Sequence, residues 1–187
     1  MGEKLNFAQI SALVLDGDRY SSGIISQILR GFGLTHQTVV ETVEEARRQL
    51  TGAAYHLLIT ESNLADGALS DFIAWIRRSA NPELRYIPII VLTGYTQFSR
   101  VTLARDAGVN SVVRKPVSPL VLFDHIAWSA RTDRPFIDAD GYAGPCRRFH
   151  FDDPSPGHSR RMSDHPGDEP LTHDFAGGLA VDARAVP

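Results

Sequence analysis

The hydrophobic positions of the chain up to Ala130 follow two alternating patterns. Short and almost continuous apolar runs, typical of strands that are buried on both faces, recur along this part of the chain. Between these runs, apolar residues return at the spacing of an amphipathic helix. The runs predict five strands, at residues 12–15, 39–40, 57–60, 89–92 and 111–113.

Capping residues mark where the predicted helices begin. We expect Ser21 or Ser22 to cap the first helix, and Ser118, followed by Pro119, to start the last one. Thr42, with Glu45 three residues further on, has the pattern of a capping box. The periodicity predicts helices around residues 23–32, 43–50, 69–76, 98–107 and 119–127.

The alternation of strands and helices predicts an α/β fold, with a doubly wound, five-stranded parallel sheet. Helices cover both faces of such a sheet, and the crossovers between its parallel strands are right-handed. Its working site lies at the carboxyl ends of the strands, near the point where the strand order reverses. The residues that directly follow each strand are therefore the candidates for function.

The composition of the chain changes near Arg131. Of the 11 prolines, 7 lie beyond this residue, and residues 131–187 carry 10 acidic and 7 basic residues, which accounts for the net charge of −3. The apolar residues of this part lack periodicity and are too sparse to offset the entropy of ordering. We therefore expect a domain over residues 10–131 and a flexible, largely disordered C-terminal tail over residues 132–187.

The composition also bears on location. The single cysteine, Cys146, cannot form an internal disulfide and is typical of a reducing compartment. No apolar run is long enough to span a bilayer, and residues 1–7 lack the apolar core of a secretory signal. These features predict a cytoplasmic protein. A chain without a basic stripe is also not expected to bind nucleic acid.

Residues with reactive or charged side chains follow four of the five predicted strands. The set consists of Asp16, Gly17 and Asp18 after the first strand, Glu61 after the third, Thr93 and Gly94 after the fourth, and Lys115 and Pro116 after the fifth. Because the carboxyl ends of parallel strands meet at one edge of a sheet, we expect these residues to lie close together.

With these residues the chain resembles the response-regulator receiver family, the CheY-like domains of two-component and phosphorelay signalling, over about residues 10–131. The most specific match is residues 107–116, Ala-Gly-Val-Asn-Ser-Val-Val-Arg-Lys-Pro. The resemblance implies a flavodoxin-like or CheY-like fold, and a stand-alone signalling domain that is not an enzyme. It also implies an acidic pair for Mg²⁺, an aspartate that accepts a phosphoryl group, a Thr or Ser after the fourth strand, and a cis Lys-Pro bond.

Three positions depart from the pattern of this family. Gly17 stands where the family has a direct metal ligand, which leaves Asp16 and Asp18 as a weakened metal site. Glu61 stands at the phospho-acceptor position, and its longer side chain displaces the carboxylate by about 1 Å, which costs on the order of a hundredfold in reactions that depend on alignment. Val112 replaces the aromatic residue that moves inward when the family's switch is engaged.

These departures favour a pseudo-receiver that is not phosphorylated, uses no cofactor and acts by protein–protein interaction. In this hypothesis Glu61, Lys115 and Thr93 hold the domain in one conformation. The alternative is a receiver that is weakly phosphorylated on Glu61 or Asp66 with residual Mg²⁺ binding. A flavodoxin-like cofactor binder is disfavoured, because the first strand-to-helix turn carries carboxylates and no glycine-rich phosphate cradle.

The resemblance also implies a surface for partners, formed by residues 97–130. The tail around residues 134–151, which is aromatic and basic, is a second candidate because such segments fold on a partner. The expected partner is a histidine kinase or another signalling protein, and neither a nucleic acid nor a membrane. The candidate contact residues on the first surface are Arg100, Arg105, Arg114 and Trp128.

Overall fold

Five parallel strands form the central sheet in the computed structural model of the chain. The structure describes residues 7, 9–94, 106–130, 135–139 and 141–146. The strands are β1 (Ser11–Leu15), β2 (His36–Val40), β3 (Leu57–Glu61), β4 (Ile89–Thr93) and β5 (Ser111–Arg114). Their order in the sheet is β2-β1-β3-β4-β5, so the strand order reverses beside β1. The predicted fold class is confirmed.

The register of the sheet aligns the carboxyl ends of the strands. Leu15 of β1 lies opposite Thr60 of β3, and Thr93 of β4 lies opposite Arg114 of β5. The residues that follow Leu15, Thr60 and Arg114 are all charged. Their side chains therefore emerge at one edge of the sheet, as the sequence predicted.

Helices cover both faces of the sheet. They are α1 (Arg19–Gly31), α2 (Val43–Gly52), α3 (Leu69–Arg77), the short α4 (Pro82–Arg85) and α5 (Pro119–Ser129). One apolar cluster packs α2 and α3 against one face, and a second cluster packs α1 and α5 against the other. The helix predicted over residues 98–107 lies largely outside the described residues. In the part of the chain that the structure describes, no helix has the length and apolarity to cross a membrane.

The first helix begins earlier than the sequence predicted. Its N-cap is Asp18, whose carboxylate accepts hydrogen bonds from two backbone N–H groups of the first turn, at 2.9 and 3.4 Å. The prediction that Ser21 or Ser22 is the cap is wrong, because aspartate caps helices as well as serine does and here comes first along the chain. The caps predicted at Thr42 and Ser118 are confirmed, since both hydroxyls accept a backbone hydrogen bond from the first turn.

Two further strands lie where the sequence predicted a flexible tail over residues 132–187. β6 (Phe136–Ala139) and β7 (Tyr142–Pro145) pair in antiparallel fashion, and Gly141 precedes β7 with a φ of 84°. The expectation of disorder is therefore wrong for this part of the tail, which we call the C-terminal hairpin. Residues 147–187 lie outside the described residues.

The C-terminal hairpin packs on the end of the domain where β4 and β5 begin. Gly108, just before β5, approaches the hairpin so closely that a Cβ there would lie 2.4 Å from a carbonyl oxygen of β7. The ring of Phe136 packs edge-on against Tyr86, with 4.6 Å between the ring centroids. Asp138 forms an ion pair with Arg85. The hairpin is thus part of the packed structure, at the end of the sheet opposite the cluster of charged strand-end residues.

His125 on α5 makes the stability of the domain sensitive to pH. Its Nδ1 pairs with the hydroxyl of Ser111 in β5. Burial lowers the pKa of His125 from its usual 6.5, and the charge of Asp124 opposes this shift only in part. The unfolded state therefore binds more protons as the pH falls through 6.5, so the folded state loses stability there.

We expect the urea midpoint of unfolding to fall when the pH is lowered from about 7.5 to about 5.5, and to fall less in His125→Gln. The reason is that glutamine does not titrate. His36→Gln, which changes an exposed histidine of β2, serves as the control and should keep the dependence of the wild type. An unchanged pH dependence in His125→Gln would contradict the assignment.

Candidate functional site

Lys115 lies at the centre of the cluster at the carboxyl ends of the strands. Its ammonium group donates hydrogen bonds to Asp16 Oδ2 (3.0 Å), to Ser21 Oγ (2.8 Å) and to Glu61 Oε2. An ammonium group carries three hydrogens, so each of them has an acceptor. The bond between Lys115 and Pro116 is cis, as the resemblance implies. The structure therefore brings the predicted residues Asp16, Glu61 and Lys115 together.

Both oxygens of the Glu61 carboxylate are engaged. Oε2 pairs with Lys115. Oε1 accepts hydrogen bonds from the backbone N–H groups of Ser62 (2.7 Å) and Asn63 (3.3 Å) and from the Ser62 hydroxyl (2.9 Å). Only 14% of the Glu61 side chain is exposed, so water screens the ion pair less than it screens a surface pair. The carboxylate is turned back onto its own loop and held there.

The two aspartates of the predicted metal site have other partners. Asp16 is buried; its Oδ2 accepts from Lys115 and Ser21, and its Oδ1 accepts from the backbone N–H of Asp18 (2.9 Å). Asp18 in turn caps α1. Among the described residues, no group of three or more His, Cys, Asp or Glu side chains is placed to hold a metal ion. Since Mg²⁺ requires well-placed oxygens in octahedral geometry, this arrangement, with an ammonium group between Asp16 and Glu61, does not fit it.

The carboxylates also set the charge of the cluster. Burial by itself would lower the pKa of Lys115, but the hydrogen bonds and the charges of Glu61 and Asp16 outweigh it and raise the pKa above its usual 10.5. Lys115 therefore stays charged at neutral pH. The stability that this ion pair contributes is fully present below pH 10.5 and is lost as the pH rises through the raised pKa.

Ser21 and Ser62 are site residues that the sequence reasoning missed. Ser62 Oγ lies 2.9 Å from Glu61 Oε1 and 3.1 Å from Thr93 Oγ1, so the structure joins the predicted residue Thr93 to the cluster through Ser62. A signal for both serines was present. Ser62 directly follows the strand-end acid, and Ser21 lies in the first turn of the helix that leaves the site.

The alternative acceptor Asp66 has a structural role at the start of α2. Its carboxylate accepts hydrogen bonds from the backbone N–H groups of Val43 (2.9 Å) and Glu44 (3.2 Å). The bond from Val43 is the main reason that the pKa of Asp66 is lowered below its usual value. Val112, at the position of the family's switch aromatic, is half-buried and packs against the cluster that holds α2 and α3.

The predicted partner surface is described only in part. Arg114 at the end of β5 is exposed, and Trp128 on α5 is half-buried. Arg100 and Arg105 lie outside the described residues, as does much of the first half of the surface over residues 97–130. Of the tail region over residues 134–151, the structure describes residues 135–139 and 141–146, which contain the C-terminal hairpin.

The sheet order and the side chains at the strand ends are those expected of a receiver domain, and comparison with known families agrees. Residues 12–127 match the response regulator receiver domain. The chain belongs to this family, whose setting is two-component signalling. The match ends before β6, so the C-terminal hairpin lies beyond it.

Individual relatives are distant in sequence and close in fold. The chemotaxis protein CheY of Pseudomonas aeruginosa is 26% identical over 114 residues, which cover 61% of this chain and 90% of that protein. A putative response regulator from Chloroflexus aurantiacus has a TM-score of 0.59 at 23% identity, covering 65% of this chain and 99% of the other. The chemotaxis response regulator CheY4 of Vibrio cholerae also has a TM-score of 0.59, at 17% identity, covering 65% of this chain and 98% of the other. The two structures support the CheY-like fold.

Proposed function

We propose that this chain is a pseudo-receiver, a response regulator domain that is not phosphorylated and acts by binding a protein partner. The observation that carries the proposal is the saturated ion pair of Glu61 and Lys115. The pair leaves Glu61 without an unengaged oxygen and Lys115 without an unengaged hydrogen. The domain would then stay in one conformation, set by its sequence and not by a phosphoryl group.

Phosphoryl transfer depends on two things that the cluster does not favour. The reaction needs an acceptor oxygen in line with the phosphorus, and cations that neutralise the charge on the transferred group. Here Glu61 Oε1 is turned toward the backbone of its own loop, and the three hydrogens of Lys115 already have acceptors. A phosphoryl donor could enter only if this partly buried, hydrogen-bonded ion pair were broken, and the free energy that this costs opposes its entry.

Metal binding is the second part of the proposal. We infer that Mg²⁺ takes no part in the function of this domain, because Gly17 supplies no ligand and Lys115 occupies one oxygen of Asp16 and one of Glu61. The position itself is not closed to a ligand. A Cβ at Gly17 would lie 3.6 Å from the carbonyl oxygen of Glu41, an ordinary contact, so an aspartate is sterically allowed there. The lost ligand can therefore be restored by mutation.

We expect the full chain to gain no phosphoryl group when it is incubated with acetyl phosphate and Mg²⁺. The matched variant carries Gly17→Asp and Glu61→Asp, which restore the ligand and shorten the acceptor. We expect this variant to form a phosphoryl adduct under the same conditions, since positioning and metal binding supply most of the catalysis. Intact mass spectrometry measures both results directly.

A stoichiometric adduct on the wild-type chain would overturn the proposed function and favour the alternative receiver. Glu61→Gln would then separate the two acceptors of that alternative. Loss of the adduct in Glu61→Gln would assign it to Glu61, whereas its persistence would point to Asp66.

The partner surface follows from the same proposal. We infer that a signalling protein, such as a histidine kinase, binds the face over residues 97–130, where Arg114 is exposed. The C-terminal hairpin lies at the other end of the sheet from Glu61, because it packs on the residues that precede β4 and β5. A partner that binds near the hairpin would therefore not need to reach the ion pair.

A further inference from the structure

Ser62 lies between the partly buried ion pair of Glu61 and Lys115 and the end of β4. Its hydroxyl is 2.9 Å from Glu61 Oε1 and 3.1 Å from Thr93 Oγ1. Thr93 is buried, with 4% of its surface exposed, and Ser62 is half-buried. A continuous line of polar atoms therefore runs from Lys115 on one side of the cluster to Thr93 on the other. It links the carboxyl ends of β5, β3 and β4.

The chemistry of these groups gives the line a direction. A carboxylate has no hydrogen and can only accept, so the single hydrogen of the Ser62 hydroxyl goes to Glu61. The Ser62 Oγ also lies 3.1 Å from Thr93 Oγ1, within hydrogen-bond distance. A hydrogen bond to a charged acceptor is about twice as strong as a neutral one, so the charge of Glu61 orients the Ser62 hydroxyl.

We propose that Ser62 is the positioning residue through which the Glu61–Lys115 pair fixes the side chain of Thr93. The proposal deepens the proposed function and rests on it, because only a permanently formed ion pair keeps both hydroxyls in one orientation. Thr93 is the last residue of β4, and the exposed Gly94 follows it. Ser62 therefore connects the ion pair to the carboxyl end of β4.

The test is a double-mutant cycle read out by nuclear magnetic resonance on the full chain with labelled threonine methyl groups. The variants are Glu61→Gln, Ser62→Ala and the pair combined. We expect Glu61→Gln to shift the methyl signal of Thr93 when Ser62 is present, and to shift it at least about threefold less in the Ser62→Ala background. Residues joined only through a third residue lose their coupling when that residue is removed.

Two control variants separate positioning from a general loss of structure. Ser62→Thr keeps the hydroxyl and should restore the coupling between Glu61 and Thr93. Ser70→Ala makes the same serine-to-alanine change on the exposed side of α3 and should leave the coupling intact. If Ser62→Ala does not fold, the Ser62→Thr chain carries the test, and an absent Glu61→Gln effect on Thr93 in that chain overturns the proposal.

Equal shifts of Thr93 in the presence and absence of the Ser62 hydroxyl would also overturn it. This result is independent of the phosphorylation experiment. An adduct on the wild-type chain would end the proposed function, whereas the coupling cycle measures the path from Glu61 to Thr93 in a chain that has met no phosphoryl donor.

Discussion

Replacing Arg77 with leucine is expected to lower the free energy of unfolding by about 4 kcal/mol. Arg77, at the end of α3, is a fully buried arginine, with 1% of its surface exposed. Its Nε donates to the carbonyl of Gly108 (2.9 Å), and its Nη1 to the carbonyls of Arg85 (2.7 Å) and Ile87 (2.8 Å). Its Nη2 donates to Asn110 Oδ1 (2.9 Å). Leucine would leave the carbonyls of Gly108, Arg85 and Ile87 without these donors, whereas Asn110 Oδ1 would keep the backbone N–H of Ile89 (3.0 Å).

The guanidinium group holds the end of α3 to the two segments that lead into the paired strands β4 and β5. One is the segment between α4 and β4, and the other is the turn before β5. Urea unfolding of the full chain measures the loss. Arg77→Lys should give a smaller loss, because an ammonium group keeps the charge but cannot reach acceptors on several sides at once.

Arg78 is the matched control for this prediction. It directly follows Arg77 and is exposed, so Arg78→Leu should change the free energy of unfolding by no more than about 0.5 kcal/mol. A loss below about 1 kcal/mol in Arg77→Leu would show that the acceptors find other partners.

The sheet could be predicted because each strand carries its own local signal. The apolar runs are nearly continuous, and helices with clear caps separate them, so local pattern and global fold agree. α4 was missed although Asn81 and Pro82 are a cap followed by a proline at the first helical position, since four residues give no periodicity. The C-terminal hairpin was missed for a related reason. Its strands are four residues long, and its order comes from contacts with distant residues such as Gly108 and Tyr86.

The site could be predicted only where a residue belongs to a strand end. Asp16, Glu61 and Lys115 were found because the topology alone brings these ends together. The serine hydroxyls were not found, because their role depends on which way a side chain turns. Asp18 was predicted from the family pattern to be part of a weakened metal site, and in the structure its carboxylate caps α1. Short polar side chains near a helix start compete for the same backbone groups, and the sequence does not decide which of them caps the helix.

Substituting alanine for Gly108 is expected to release the C-terminal hairpin and to lower the free energy of unfolding by about 3 kcal/mol. Two effects combine at this position. Gly108 has a φ of 99°, a conformation that costs a residue with a Cβ about 1 kcal/mol. The added Cβ would also lie 2.4 Å from the carbonyl oxygen of Ala143, which is backbone and cannot turn aside, so the hairpin must move. The contact between the rings of Phe136 and Tyr86 would then be lost.

Gly33 and Gly144 separate the two effects. Gly33 has a φ of 89° and nothing within 4 Å of a Cβ, so Gly33→Ala should cost only the backbone term of about 1 kcal/mol. Gly144 lies on the hairpin, and in Gly144→Ala the added Cβ would lie 2.6 Å from Gly108 Cα. Gly144 does not have a positive φ, so this change should release the hairpin without the backbone cost.

Because Cys146 is the single cysteine and directly follows β7, the rate of thiol labelling reports the release of the hairpin. Labelling should be faster in Gly108→Ala and Gly144→Ala and unchanged in Gly33→Ala. Equal labelling rates in all three would mean that the hairpin does not depend on the contact between Gly108 and β7.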